Sequence, residues 1–187
     1  GLIEISPNNQ WLAYTADFEG RRIYGLYFKN LVTGEIKDDG IKNGSGDVAW
    51  CTDNKTVFYT VQDLKTLRSY KIMRHTVGNP SASDVCVFEE KDETFAVGVY
   101  SSKSGNYIII QSGSTLSAEA RYVPASQPTN EFKIFQPREN NHEYAIDECG
   151  GEFYIRTNWE AKNFRLMKTL AEKTTKENWK EVLPHKP

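Results

Sequence analysis

The chain has 187 residues, 39% hydrophobic and 26% charged, with a formal net charge of -2. That is globular composition, with enough length to bury a sizeable core, and the slightly acidic balance with dispersed Lys and Arg excludes the basic stripe of a nucleic-acid or membrane-surface binder. No apolar run approaches the ~20 residues of a transmembrane helix, and Gly1-Leu2-Ile3-Glu4-Ile5 lacks the basic, apolar and cleavable parts of a signal peptide. Three widely spaced cysteines, Cys51, Cys86 and Cys149, read as reduced, partly buried thiols of a cytoplasmic protein; none has the paired spacing of a metal site, and no cofactor is expected.

Along the chain, one pattern recurs four times. A strand over 2–5 leads to Ser6-Pro7-Asn8-Asn9-Gln10, turn chemistry in which Pro fixes one dihedral and Asn accepts a positive one. Strands over 11–15 and 23–29 follow, separated by the charged loop 17–22. A hairpin connection over 30–35 then leads to a short fourth strand near Ile36. In the second repeat, Val48 and Trp50 alternate with Asp47 and Ala49, the period of a half-buried strand. Cys51-Thr52-Asp53-Asn54-Lys55 turns the chain, and 56–61 is β-branched and aromatic throughout, the mark of a strand buried on both faces. Strands over 69–75 and 84–88 complete that unit. The third repeat has strands over 95–100, 107–110, 119–123 and 132–135. The fourth has strands over 144–146, 153–156 and 164–167, with a last one due at Trp179.

The spacing is regular. Second strands open at Trp11, Thr56, Tyr107 and Phe153, in steps of 45, 51 and 46; third strands marked by Tyr24, Tyr70, Ala120 and Phe164 step by 46, 50 and 44. Four short strands per ~40–50 residues is the unit of a β-propeller blade. The expected fold is therefore all-β: a single partial β-propeller domain of about four four-stranded antiparallel blades, over 1–42, 43–92, 93–140 and 141–187. A β-sandwich with coincidental spacing is the competing reading. The stretch 161–183 is rich in Lys, Glu, Ala and Leu and places Phe164, Met167 and Leu170 at helical spacing, but the repeat register assigns it strands. Four blades form an open arc, so the chain reads as a piece of something longer, and self-association through uncovered terminal blade faces is expected.

Catalytic motifs are missing. There is no Gly-Xaa-Ser-Xaa-Gly elbow, and Asn43-Gly44-Ser45-Gly46 does not supply one. His142-Glu143 lacks the second ligand of a zinc helix, since position 146 is Ile146. His75, His142 and His185 read as surface or strand histidines, and Asp38-Asp39-Gly40 and Asp53-Asn54 as turn residues. The strongest charge cluster, Glu89, Glu90, Lys91, Asp92 and Glu93, joins two blades; it reads as a solvated loop or, more sharply, as an acidic rim that steers cationic peptides. The loop carrying Asp17, Glu19, Arg21 and Arg22 belongs to the same face, where both loops could contact a second domain.

Several segments together resemble oligopeptidase B. They are Ser6-Pro7-Asn8-Asn9, Arg21-Arg22-Ile23-Tyr24, the run from Phe28 to Glu35, the run from Asp53 to Tyr59, the run from Phe88 to Phe95, His142-Glu143-Tyr144, the run from Gly150 to Asn158, the run from Lys162 to Leu166, and Leu183-Pro184-His185. The resemblance runs the length of the chain and in order. It implies a cytosolic serine peptidase of the prolyl oligopeptidase group, in which a seven-bladed propeller covers an α/β-hydrolase domain bearing a Ser-Asp-His triad. Such enzymes cleave short peptides after Lys or Arg, and the propeller excludes folded proteins. This chain corresponds to consecutive middle blades. No family catalytic residue maps onto it, and the role that remains is a non-catalytic wall partnering the hydrolase domain and admitting short basic peptides. The alternative is a stand-alone propeller-like protein-binding module.

Overall fold

The computed structural model describes residues 1–186, and these are all-β, as the repeat predicts, apart from two three-residue 3-10 turns at Ser81–Ser83 and Lys176–Asn178. Fifteen strands run in simple meander order: β1 (Ile3–Ile5), β2 (Trp11–Ala16), β3 (Tyr24–Asn30), β4 (Ile36–Trp50), β5 (Thr56–Gln62), β6 (Ser69–Thr76), β7 (Val85–Glu89), β8 (Ala96–Ser101), β9 (Tyr107–Gly113), β10 (Ala118–Pro124), β11 (Lys133–Gln136), β12 (Tyr144–Cys149), β13 (Glu152–Thr157), β14 (Arg165–Leu170) and β15 (Lys180–Leu183). Every pairing is antiparallel between sequence neighbours. The strands form one seven-stranded sheet, β1 to β7, and two four-stranded sheets, β8 to β11 and β12 to β15.

The sheets stack as a partial propeller, and a separate apolar core fills each junction. Ala13, Leu26 and Phe28 meet Val48, Trp50, Val57 and Tyr59 at the first. At the second, Ala49, Phe58 and Ile72 meet Val97, Val99, Ile108 and Ile110. The third joins Ile109, Tyr122 and Phe135 to Tyr144, Ile146, Phe153, Ile155, Met167 and Trp179. This explains the continuous apolar runs. Side chains alternate across a strand, so Ile108 and Ile110 enter the second core while Ile109 enters the third. Phe58 likewise points away from Val57 and Tyr59.

The turns repeat as closely as the cores. In each of three units the residue just after β1, β4 or β8 pairs its N–H with the carbonyl five residues on: Ser6 with Trp11, Cys51 with Thr56, Ser102 with Tyr107. The fourth residue of each turn, Asn9, Asn54 or Gly105, donates back to the first and takes a positive φ of 58°, 58° and 75°. Such angles suit Asn and Gly. The fourth unit uses the shorter Gly150-Gly151 turn instead, both glycines having positive φ.

Three details differ from the sequence expectation. The short fourth strand near Ile36 and the strand at Val48 are one continuous strand, β4, crossing from the first blade to the second. It pairs with β3 and then β5, and Gly44 faces both Tyr24 and Val61. A Cβ at Gly44 would lie 3.2 Å from the Tyr24 carbonyl oxygen, so any side chain there would press on the paired backbone by a few tenths of an ångström. Asp38-Asp39-Gly40 is a bulge within that strand, with Gly40 at φ 83° and its N–H bonded to Asp38 Oδ1. Finally, 161–183 is strand-forming as the register requires, but Phe164 stands outside β14. It takes φ 62° and places its ring 3.9 Å from the Arg156 guanidinium.

The two terminal faces are unlike. On the first blade Ile3, Tyr14 and Tyr27 line up across three strands, with Ile3 69% and Ile5 52% exposed. The outer face of the last blade mixes the Lys168–Glu152 pair at 2.9 Å and the Arg156–Phe164 stack with Leu170 and Leu183, 49% and 59% exposed, so apolar surface is present at both ends but is interleaved with charge at the last.

Candidate functional site

The loops singled out by charge lie on one face of the arc, where the β2–β3, β5–β6 and β7–β8 connections emerge together. Asp17 organises the first. Its Oδ1 accepts from the Glu19 and Gly20 N–H groups at 3.1 and 2.9 Å, and its Oδ2 from that of Arg22 at 2.6 Å. Burial alone would raise the Asp17 carboxyl, but the backbone N–H groups of residues 19–22 outweigh it and hold it below its usual range. Arg21 and Glu19 form an exposed pair at 3.4 Å. Phe18 projects 82% exposed, edge-on to Tyr27. Asp17, Phe18, Glu19, Arg21, Lys42 and Leu64 line a shallow cleft of 340 Å³.

A second groove, of 610 Å³, lies on the other side of the β5–β6 loop. Asp63, Arg68, Glu89, Glu90, Lys91 and Glu93 line it. The β5–β6 loop is tied to the first through Gln62, whose Nε2 donates to the Arg22 carbonyl at 2.6 Å. So the structure gathers Asp17, Glu19 and Arg21 at one groove and Glu89, Glu90 and Glu93 at its neighbour.

Within the second cluster the acids are not equivalent. Glu89 is exposed beside Lys71 at 3.6 Å, and Glu93 is exposed. Asp92 binds the Thr94 hydroxyl and N–H at 2.7 and 2.9 Å, which hold its carboxyl below its ordinary range. Glu90 turns inward and is 6% exposed. It accepts from Arg138 Nη2 at 2.5 Å, Ser112 Oγ at 2.6 Å and the Asp92 N–H at 3.0 Å. Burial pushes its carboxyl up, but the Arg138 and Ser112 bonds prevail and hold it low. Arg68 closes the loop from below, its Nη1 donating to the carbonyls of Glu90, Asp92 and Phe95. Arg68, Ser112 and Arg138 escape a sequence reading because they lie 22 to 48 residues from Glu90, beyond any local period.

Two histidines expected at the surface or on strands are buried. His75 lies on β6, sealed between carboxylates. His142 lies in a loop, 3.0 Å from Thr157 Oγ1 and against Tyr144 and Trp179, and burial lowers its pKa. Thr157 is itself fully buried, so this pair presents no nucleophile to solvent. Burial, reinforced by Asp53, pushes the Cys51 thiol up to about 12, far from thiolate character at neutral pH. Cys86 and Cys149, unlike Cys51, are exposed. Among the described residues, no group of three or more His, Cys, Asp or Glu is arranged to hold a metal ion, and no helix is long and apolar enough to cross a membrane.

Antiparallel four-stranded units, meander order and a core at each junction define an arc of β-propeller blades. The family model described as "Prolyl oligopeptidase, N-terminal beta-propeller domain" matches residues 1–187, and the chain belongs to that family. It is 37% identical over its whole length to dipeptidyl aminopeptidase BI of Pseudoxanthomonas mexicana, of which it covers 26%. To protease 2 of Moraxella lacunata it is 31% identical over 88% of the chain and 24% of that protein. All of it superposes on oligopeptidase B from Leishmania major with a TM-score of 0.88 at 25% identity, covering 26% of that structure. The chain thus spans about a quarter of the length of the relatives it matches.

Proposed function

We propose that this chain is the non-catalytic wall of a serine endopeptidase that hydrolyses short peptides after Lys or Arg. The observation that carries the reading is the superposition of the whole chain on oligopeptidase B, with TM-scores of 0.88 and 0.85 for the proteins of Leishmania major and Trypanosoma brucei. In this reading an α/β-hydrolase domain of the same longer protein supplies nucleophile, base and oxyanion donors. The propeller contributes shape: blades locked by three apolar cores resist parting, so only slender, unfolded peptides reach the enclosed site. The acidic groove formed by Asp63, Glu89 and Glu93 suits the approach of cationic peptides by long-range attraction. The protein works in the cytoplasm, without cofactor.

A second reading of the cleavage has a specific observation behind it. The relative at 37% identity is named a dipeptidyl aminopeptidase, which points to removal of dipeptides from a free N-terminus. A stand-alone binding module is less favoured, because the family match spans the entire chain.

The experiment is to express the longer protein and compare three reporters: an N-blocked peptide ending in Arg–dye, the same peptide ending in Ala–dye, and a free dipeptide–dye. Preferred turnover of the blocked Arg reporter supports the endopeptidase. Turnover of only the free dipeptide reporter replaces it with the aminopeptidase. No turnover of any reporter, by an enzyme that reacts with a serine-directed probe, overturns both. Gating is tested separately, by asking whether a folded Arg-rich protein is spared while its unfolded form is cut.

A further inference from the structure

On the face opposite the two grooves, a sealed polar cluster bridges the first blade junction. His75 is 1% exposed and stacks flat on Phe28 of β3, with ring centroids 5.4 Å apart. Its Nδ1 lies 2.7 Å from Asp84 Oδ1, in the β6–β7 turn, and its Nε2 lies 3.0 Å from Asp39 Oδ2, in the β4 bulge. Tyr59 of β5 donates its hydroxyl to Asp84 Oδ2 at 2.8 Å. The Gly78 N–H donates to Asp39 Oδ2 at 2.8 Å, and Ser81 Oγ–H to the Gly40 carbonyl at 2.9 Å. Lys37, also on β4, is turned onto the Trp11 ring, 5.3 Å from its centre. Two carboxylates, one imidazole and one phenol therefore meet where the first blade's last pairing touches the second blade's outer turn. Burial, with Asp84 beside it, pushes the Tyr59 hydroxyl up, so it stays a donor throughout the ordinary pH range.

The hydrogen count is decisive. Each imidazole-to-carboxylate contact needs one hydrogen between nitrogen and oxygen. A neutral imidazole brings one N–H, and an ionised carboxylate brings none. With a single hydrogen, a bare nitrogen lone pair would face a carboxylate oxygen across a hydrogen-bond distance in a site closed to water. We propose that the His75, Asp39 and Asp84 cluster is a proton-dependent latch. It holds two hydrogens when closed, pins the β4 bulge to the β6–β7 turn, and releases the bulge when one hydrogen is lost. The closed cluster carries one negative charge in excess. Losing a proton leaves two buried carboxylates with no opposing charge, which is strongly unfavourable. The released segment is the strand that joins the first two blades, so the latch makes the stiffness of that junction depend on pH. Stabilisation by the latch is complete below the pH at which the opened cluster gives up the second hydrogen, declines as pH rises above it, and is gone once the closed cluster gives it up too.

The test uses the chain itself, labelled with nitrogen-15, and a variant carrying Asp84→Asn. In the wild-type protein at pH 7, proton spectra should show two hydrogen-bonded protons in contact with the His75 ring, one of them lost on raising the pH. On the approach to that loss the amide-exchange protection factor of Gly78 should fall, at up to about tenfold per pH unit, the slope of a single released proton, and it should level off once the proton is gone. At position 84 an Asn amide can donate its N–H to His75 Nδ1 and accept from the Tyr59 hydroxyl on its oxygen, so Asp84→Asn closes the cluster with one hydrogen fewer and leaves Asp39 accepting from Gly78. Its Gly78 protection factor should stay flat over the same range. A single ring-contact proton at pH 6 to 8, or equal alkaline loss of protection in both proteins, overturns the proposal. Should the variant fail to fold, the proton count in the wild-type spectra decides alone.

Discussion

Arg138 Nη2 donates to the Glu90 carboxylate at 2.5 Å while its guanidinium lies 3.6 Å from the centre of the Phe95 ring. The two contacts bind the loop after β11 to the linker between β7 and β8, so one side chain ties the second blade to the third. The Glu90 side chain is 7% exposed and that of Arg138 28%, which makes this a mostly desolvated pair with hydrogen bonds to spare from Ser112. Truncating Arg138 strands a buried carboxylate. Arg138→Ala should cost about 2–3 kcal/mol in urea unfolding, below the full range for a wholly buried pair because Arg138 is partly solvated. Adding Glu90→Gln to that variant should recover most of the loss; a double variant as unstable as the single one would refute the charge argument.

The same carboxylate gives an acid limb. Glu90 is held below the value it has in the unfolded chain, so its stabilising contribution is present above that unfolded value and fades as pH falls through the lowered one. Urea midpoints measured from pH 6 down to pH 3 should decline more steeply for the wild-type protein than for Glu90→Gln. Parallel curves would count against it.

His142 titrates in a different window. Burial lowers its pKa from the ordinary 6.5; the Lys176 charge lowers it too, while Glu139 opposes. The unfolded chain therefore binds a proton at higher pH than the folded chain does, and stability falls as pH drops below about 6.5 until the folded value is passed. His142→Phe keeps the aromatic contacts with Tyr144 and Trp179 and gives up one bond to Thr157. That variant should lose about 1 kcal/mol at pH 7.5, yet lose less than wild type between pH 7 and pH 5.5.

Gly105 tests the repeated turn. Nothing lies within 4 Å of where its Cβ would stand, so only its φ of 75° resists substitution. Asn occupies the corresponding place in Asn9 and Asn54. Gly105→Asn should be tolerated to within about 0.5 kcal/mol, whereas Gly105→Val should cost about 2 kcal/mol, the strain of a β-branched residue in the left-handed region. Thermal unfolding of the two variants provides the comparison, and equal losses would mean the turn does not depend on that angle.

This turn also shows why so much of the fold is legible in the sequence. Asn9, Asn54 and Gly105 mark it locally, and the alternation around Ile108, Ile109 and Ile110 encodes a strand buried on both sides. β4 was hidden because Gly40, Asn43, Gly44 and Gly46 look like strand breakers. Gly40, Asn43 and Gly46 are absorbed in bulges, with Gly40 at φ 83° and Gly46 at φ 120°, while Gly44 pairs on both sides. The polar ties were hidden for another reason. His75 meets Asp39 across 36 residues and Arg138 meets Glu90 across 48, distances that only the stacking of blades closes. The charged loops could be found from composition, but not which acid turned inward, since Glu89 and Glu90 are neighbours with opposite fates.

Ile5 and Tyr27 carry the last prediction. With Ile3 and Tyr14 they form an apolar outer face on the first blade, and Ile5 is 52% exposed. The far end of the arc instead interleaves the charges of Lys168, Glu152 and Arg156 with exposed Leu170 and Leu183. Two unlike ends do not complement each other, so association should occur through two copies of the apolar face, giving a closed dimer and no chain of subunits. Sedimentation of the 187-residue chain should show a monomer–dimer equilibrium that Ile5→Lys shifts well over about tenfold toward monomer, since the single two-fold interface holds two copies of Ile5, each worth about 1.5 kcal/mol when buried. Lys168→Ala at the other end should leave it unchanged. Higher oligomers, or equal sensitivity at both ends, would rule out the closed dimer.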